Sequence, residues 1–135
     1  MNVVIDTNVF VSSFFGGNPR KVIDQWKSGV LTLCLTPEIL DEYLEVLQRI
    51  GLEGDPALKE LLDLFSRAPN ILFISKTPEV RAVPDDPDDD KFIACALALS
   101  AEVVITGDKA LEAVETFQGI RIMTPSSFLR YIREP

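Results

Sequence analysis

The sequence predicts an α/β fold with a central, mainly parallel sheet of about four to five strands flanked by helices. Apolar runs such as Val3–Ile5 and Val103–Ile105 consist of β-branched residues without polar alternation, which is typical of strands covered on both faces. Segments with apolar residues at helical spacing lie between these runs. Strands that alternate with helices predict a parallel sheet. A chain of 135 residues is expected to form a single domain over residues 1–135.

Each predicted element begins or ends at residues that cap or stop regular structure. Gly16 and Gly29 follow the first two predicted helices, and glycine is common just past a helix C-terminus. Thr36-Pro37-Glu38 supplies an N-cap, a first-turn proline and an acid, and Asp55-Pro56 and Thr124-Pro125 mark two further helix starts. In chain order we predict strand 3–5, helices 9–15 and 20–28, strand 31–35, helices 37–50 and 56–67, strand 70–74, helix 91–99, strand 103–105, helix 109–117, strand 121–123 and helix 125–133.

The composition restricts the chemistry to carboxylates, hydroxyls, lysine or a bound metal. The chain has no histidine, which excludes a Ser-His-Asp triad, a Cys-His pair and an imidazole zinc site. Cys34 and Cys95 lie in apolar surroundings and are expected to be buried thiols. The net charge of −8 disfavours non-specific nucleic-acid binding, but clustered carboxylates recruit divalent cations. No apolar run approaches a membrane span and no signal peptide is recognised, so we expect a cytoplasmic protein.

The first strand runs directly into Asp6-Thr7-Asn8. Ligands of open α/β sheets bind outside the carboxyl ends of the strands, so Asp6 stands where such a site is built. The simpler interpretation is that Asp6 or Asn8 only caps the following helix. Thr106-Gly107-Asp108 repeats the pattern after the strand 103–105 and places a second carboxylate at the same edge.

An acidic cluster precedes the apolar helix 91–99. Residues 85–90 contain five aspartates, more than helix capping requires, and their repulsion raises their pKa values unless a cation binds. A solvated acidic loop is the alternative. Glu42 borders the apolar face of the helix 37–50, so its side chain can point into the protein interior. The alternative is an ordinary solvated glutamate at the boundary of that face. Convergence of these acids with no histidine would select a hard ion, Mg²⁺ or Mn²⁺.

These motifs together resemble the PIN-domain ribonucleases, and within them the toxin components of toxin–antitoxin pairs. The resemblance covers essentially the whole chain. It rests on Val4-Ile5-Asp6-Thr7-Asn8, on Glu42, on Asp90 before Phe92-Ile93-Ala94-Cys95-Ala96, and on Thr106-Gly107-Asp108.

The resemblance implies a set of site residues. The acidic metal ligands would be Asp6, Glu42, Asp90 and Asp108, with Asp86 or Asp89 as alternatives to Asp90. Thr7, Asn8 and Thr106 would orient the carboxylates and water. The resemblance also implies Mg²⁺- or Mn²⁺-dependent hydrolysis of single-stranded RNA, a homodimer and an antitoxin partner. The cations that could hold RNA are Arg20, Lys21, Lys91 and Lys109.

Three other interpretations account for parts of the pattern. A non-catalytic PIN-like interaction module would have the same fold without turnover. A haloacid-dehalogenase-type phosphatase needs a second aspartate two residues after the first, but position 8 is Asn. A receiver domain needs an aspartate after a middle strand, but Thr36 and Ser75 occupy those positions. We therefore favour the metal-dependent endoribonuclease.

Overall fold

A six-stranded sheet runs through the computed structural model, which describes residues 1–51, 54–67 and 70–133. Five strands are parallel and a short edge strand is antiparallel, which confirms the prediction of a mainly parallel sheet. The sheet has six strands, one more than the four to five that the sequence predicts. The strands are β1 (Asn2–Ile5), β2 (Thr32–Leu35), β3 (Ile71–Phe73), β4 (Val103–Ile105), β5 (Thr116–Phe117) and β6 (Ile120–Met123).

Helices follow most of the strands, as the alternating pattern predicts. The helices in the described residues are α1 (Thr7–Ser12), α2 (Gly17–Lys27), α3 (Pro37–Arg49), α4 (Pro56–Arg67), α5 (Asp90–Ala98), α6 (Lys109–Glu112) and α7 (Pro125–Arg133). Short 3₁₀ turns extend α1 over Ser13–Phe15 and precede α5 over Pro87–Asp89. None of the helices in the described part of the chain is long and apolar enough to cross a membrane.

The order β3-β2-β1-β4-β6-β5 places a topological switch point between β1 and β4. The chain winds from β1 through β2 to β3 in one direction and from β4 to β6 in the other. Ile5 pairs with Ile105, so the residues that follow β1 and β4 emerge side by side. The backbone N–H of Asp6 donates to the carbonyl of Ile105 at 2.9 Å and continues this pairing. Ligand sites of open α/β sheets form at such a point.

The core explains why the strands lack polar alternation. Val3–Ile5 and Val103–Ile105 are fully buried, and α5 contacts β1, β2, β4 and β6. The segment Phe92–Ala96 of α5 is buried throughout, as its apolar character predicts. Burial of this surface is the main favourable contribution to folding, at roughly 25 cal/mol per Å² of apolar area. The same packing holds the N-terminal end of α5 at the carboxyl edge of the sheet.

One predicted element is wrong in its second half. The helix expected over 109–117 ends at Glu112, and Thr116–Phe117 forms β5 in a hairpin with β6. Glu115 has a φ of +62°, which interrupts the helical backbone. Gln118 and Gly119, with φ of +48° and +86°, form the two-residue turn, and positive φ at both positions is what tight hairpin turns require.

Candidate metal centre

Asp6 is a buried carboxylate at the centre of the carboxyl edge. It is the N-cap of α1, and its Oδ1 accepts from the backbone N–H of Asn8 at 3.4 Å. Its Oδ2 accepts from the hydroxyl of Thr106 at 2.5 Å. Burial raises the pKa of Asp6, the two hydrogen bonds oppose that effect, and the charges of Asp108 and Glu42 add to it. The capping interpretation is therefore correct locally, and Asp6 also lies near two other acids.

Tyr43 supports the end of β1 from α3. Its fully buried ring is stacked on Phe10, with ring centroids 4.3 Å apart, and its hydroxyl donates to the carbonyl oxygen of Ile5. That carbonyl belongs to the residue directly before Asp6. Tyr43 therefore holds the backbone from which the Asp6 side chain projects.

Tyr43→Phe is expected to lower the free energy of unfolding by about 1–2 kcal/mol, because the buried Ile5 carbonyl loses a donor. Urea unfolding followed by circular dichroism measures this loss. Tyr131→Phe is the matched control, since that half-buried ring lies on α7 beside Arg121 and should change stability by less than about 0.5 kcal/mol. Equal effects of the two substitutions would show that the hydrogen bond to Ile5 contributes nothing measurable.

Asp108 is connected to Asp6 through Thr106. The fully buried Thr106 hydroxyl donates to Asp6 and accepts from the backbone N–H of Asp108 at 2.9 Å. Asp108 Oδ1 accepts from the N–H groups of Ala110 and Leu111 at 2.8 and 3.2 Å, so it caps α6. One threonine thus orients two of the predicted acids.

Three aspartates bring carboxylate oxygens to within 4.8 Å of one another: Asp86, Asp89 and Asp108, hereafter the three-aspartate group. Asp89 is 7% exposed, and its Oδ2 is buried with no hydrogen-bond partner among the residues that the structure describes. Burial, followed by the charges of Asp108, Asp6 and Asp86, raises the pKa of Asp89 from 3.8 to about 7, although Lys91 opposes the shift.

The chemistry of this group fits a hard divalent cation. An unpartnered buried carboxylate oxygen is costly, and Asp86 and Asp108 bring two further carboxylates beside it. Carboxylate oxygens are the ligands that Mg²⁺ and Mn²⁺ prefer. The residues present therefore fit the kind of ion that the sequence predicts.

Asp90 lies outside the three-aspartate group. Its Oδ1 accepts from the backbone N–H groups of Ala82 and Val83 at 2.9 and 2.8 Å. It lines a pocket of about 450 Å³ formed mostly by the connection 79–87. The alternative acids of the sequence analysis, Asp86 and Asp89, lie in the group instead. Asp89 ends the 3₁₀ turn and Asp90 begins α5, and the two adjacent side chains contact different parts of the protein.

Glu42 is held from both sides, at the border of the apolar face of α3. Its Oε2 accepts from the hydroxyl of Thr7 at 2.6 Å, and its Oε1 lies 3.2 Å from the Lys91 ammonium. Lys91 Nζ also donates to the backbone oxygen of Asp88 at 3.1 Å and to its carboxylate at 2.9 Å. Burial alone would lower the pKa of Lys91, but the hydrogen bonds and charges of Asp88 and Glu42 raise it.

The other predicted residues occupy less central positions. Asn8 is exposed, and its contact with Asp6 is the hydrogen bond that its backbone N–H donates to the carboxylate. Arg20 donates to the carbonyl oxygens of Ser13 and Phe14 at 3.1 and 2.8 Å, so its guanidinium stabilises the turn after α1. Lys21 and Lys109 are exposed, and Lys109 follows Asp108 directly.

Two comparisons relate this chain to known proteins. The sequence profile of the PIN domain family matches residues 2–110. An uncharacterized protein of Methanocaldococcus jannaschii is 34% identical over an alignment of 121 residues, and the match covers 82% of this chain and 73% of that protein. The matched range includes every acid described above.

Proposed function

The chain belongs to the PIN domain family, whose members are generally nucleases, and on that premise we propose that it is a metal-dependent endoribonuclease. It hydrolyses phosphodiester bonds of single-stranded RNA with Mg²⁺ or Mn²⁺. The observation that carries this proposal is the three-aspartate group, in which the buried Asp89 Oδ2 has no partner among the described residues.

In this proposal the carboxylates have distinct roles. Asp86, Asp89 and Asp108 hold the ion, with Asp6 and Glu42 beside them as further acids. The ion, when bound, supplies activation of a water and neutralisation of the charge that develops on the phosphodiester. Thr106 fixes Asp6 and Asp108 relative to each other, because its hydroxyl contacts both residues. Thr7 orients Glu42 through the 2.6 Å hydrogen bond.

The biological role follows from the resemblance to toxin components. We propose that residues 1–135 form one domain that acts in the cytoplasm as a homodimer, as the toxin of a toxin–antitoxin pair. Of the four cations expected to hold RNA, Lys21 and Lys109 have exposed side chains, whereas Arg20 and Lys91 already donate to groups of the chain itself. Lys109 is the best placed of the four, since it directly follows Asp108.

The proposal predicts RNA cleavage that requires both a divalent ion and Asp6. Purified protein is incubated with labelled single-stranded RNA in Mg²⁺, in Mn²⁺ or in EDTA. Asp6→Asn is expected to lower cleavage by about 10²-fold, the upper end of the losses that follow removal of groups around a metal site. Asp85→Asn is the matched control, because Asp85 is an exposed acid of the neighbouring loop, and its rate should stay within about twofold.

Other outcomes separate the alternatives. Cleavage that persists in EDTA or in Asp6→Asn would contradict the proposal and indicate a contaminating nuclease. Absence of cleavage together with measurable Mn²⁺ binding would favour the non-catalytic interaction module.

A further inference from the structure

We propose that Lys91 takes the place of a second divalent cation in this site, so that the protein binds one ion tightly, at the three-aspartate group. Lys91 is then the permanent counter-ion of Glu42. The inference rests on the proposed function only in treating the three-aspartate group as a metal site. It sets the number of ions and assigns Lys91 a positioning role.

The three-aspartate group and Glu42 differ in the contacts that their carboxylate oxygens already make. The oxygens of Asp86, Asp89 and Asp108 lie within 4.8 Å of one another, so a single ion can reach all three. Glu42 lies outside that group, and each of its oxygens already accepts from a donor, Thr7 at 2.6 Å and Lys91 at 3.2 Å. An ion at Glu42 would have to compete with these two donors.

Lys91 has no free donor to offer to another ligand. An ammonium group carries three donors, and Lys91 Nζ has three acceptors: Glu42 Oε1, the Asp88 carboxylate and the Asp88 backbone oxygen. Its side chain is only 8% exposed, and the ammonium lies 5.2 Å from the centre of the Phe92 ring. A lysine that binds RNA would have an exposed ammonium group with free donors. The contacts of Lys91 instead favour a role as an internal counter-ion.

The electrostatic consequence is a limit on the number of ions. A divalent ion beside Glu42 would also lie beside the positive charge of Lys91, and like charges at such distances repel strongly in a partly buried site. The three-aspartate group feels this charge less strongly, because Lys91 turns towards α3 while Asp89 turns towards Asp108, and Lys91 has the smallest effect among the groups that shift the pKa of Asp89. One ion and one lysine therefore share the acidic site.

The test is the stoichiometry of Mn²⁺ binding, measured by isothermal titration calorimetry on the full chain without RNA. The wild-type protein is expected to bind one Mn²⁺ tightly. Lys91→Met removes the positive charge beside Glu42, so this variant is expected to bind a second Mn²⁺. Its affinity for the second ion should be at least tenfold higher than that of the wild type. Lys91→Arg keeps the charge and should retain one ion.

Two further variants keep the result interpretable. Lys91→Gln keeps side-chain donors but removes the charge, so it should also bind the second ion if Lys91→Met fails to fold. Lys91→Met combined with Glu42→Gln should return to a single ion, because the freed carboxylate is gone. Circular dichroism confirms that each variant is folded.

The outcomes distinguish this inference from the proposed function. The role of Lys91 would be overturned if the wild type bound two Mn²⁺ ions with similar affinity. It would also be overturned if the wild type and both folded neutral variants gave identical titrations. Either result would leave the metal site itself in place. No Mn²⁺ binding by the wild-type protein would overturn the metal site and the proposed function with it.

Discussion

Asp89→Asn is expected to abolish divalent-metal binding and RNA cleavage, whereas Asp90→Asn, one residue further on, is expected to preserve both. Asp89 contributes a buried oxygen without a partner among the described residues, next to Asp86 and Asp108. Asp90 instead accepts from the backbone N–H groups of Ala82 and Val83. The two substitutions remove the same charge from adjacent positions, so their difference reports only the direction of each side chain.

Titration calorimetry with Mn²⁺ and cleavage of labelled RNA measure both variants side by side. We expect Asp89→Asn to weaken Mn²⁺ binding by at least about 10²-fold, since losses up to that size follow even from groups that only support a ligand. Asp90→Asn should stay within about threefold in both assays, because asparagine keeps an oxygen that can accept from Ala82 and Val83. The reverse pattern would mean that Asp90 is the ligand, as the resemblance alone implies.

A structural role of Asp90 has its own signature. Asp90→Ala removes the acceptor for two backbone N–H groups, and we expect a loss of about 1–3 kcal/mol in the free energy of unfolding. Asp89→Ala removes no such acceptor interaction among the described residues. If Asp90→Ala left stability unchanged in urea unfolding, the contact between α5 and the connection 79–87 would not stabilise the protein.

The second large effect is on stability as a function of pH, in protein freed of metal with EDTA. The pKa of Asp89 is raised from 3.8 to about 7 by burial and by the charges of Asp108, Asp6 and Asp86. The folded state therefore binds a proton that the unfolded state has released between about pH 4 and pH 7, so stability falls as the pH rises through this window. The asparagine in Asp89→Asn cannot ionise, so the stability of this variant is not expected to fall over this pH window.

The expected gain of Asp89→Asn is on the order of 4 kcal/mol at pH 8, because the pKa of Asp89 is raised from 3.8 to about 7 and a difference of one in pKa corresponds to about 1.4 kcal/mol. At pH 4.5 the gain should shrink to about 1 kcal/mol, since Asp89 is protonated in the folded wild type. Urea unfolding at both pH values measures the difference, and Asp85→Asn serves as the exposed control. A gain that is equal at the two pH values would contradict the assignment of the shifted pKa to Asp89.

Metal addition provides an independent check on the same residue. At an Mn²⁺ concentration 100 times the dissociation constant, a ligand that binds only the folded state adds about 2.7 kcal/mol to stability. The wild type should gain this stability at pH 8 and Asp89→Asn should not. Asp89 is thus expected to destabilise the metal-free protein and to stabilise the metal-bound one.

Much of the architecture is determined by local sequence. Val3–Ile5 and Val103–Ile105 are apolar at every position, so they have to lie inside a sheet covered on both faces. A parallel pair of such strands brings the residues that follow them to one edge, and for this reason the sequence alone predicts that Asp6 and Asp108 lie in the same region. The helix starts at Pro37 and Pro125 also follow from local capping residues.

Only the tertiary structure decided which acids meet. The sequence predicts Asp90 as a metal ligand, with Asp86 or Asp89 as alternatives. The direction of each side chain depends on how α5 lies on the sheet and on the backbone of Ala82 and Val83, which Asp90 contacts. The pairing of Lys91 with Glu42 joins residues 49 positions apart, and the hairpin of β5 with β6 replaces half of a predicted helix. Periodicity and capping report the neighbours of a residue along the chain, but the direction of a side chain at the start of α5 is set by distant packing.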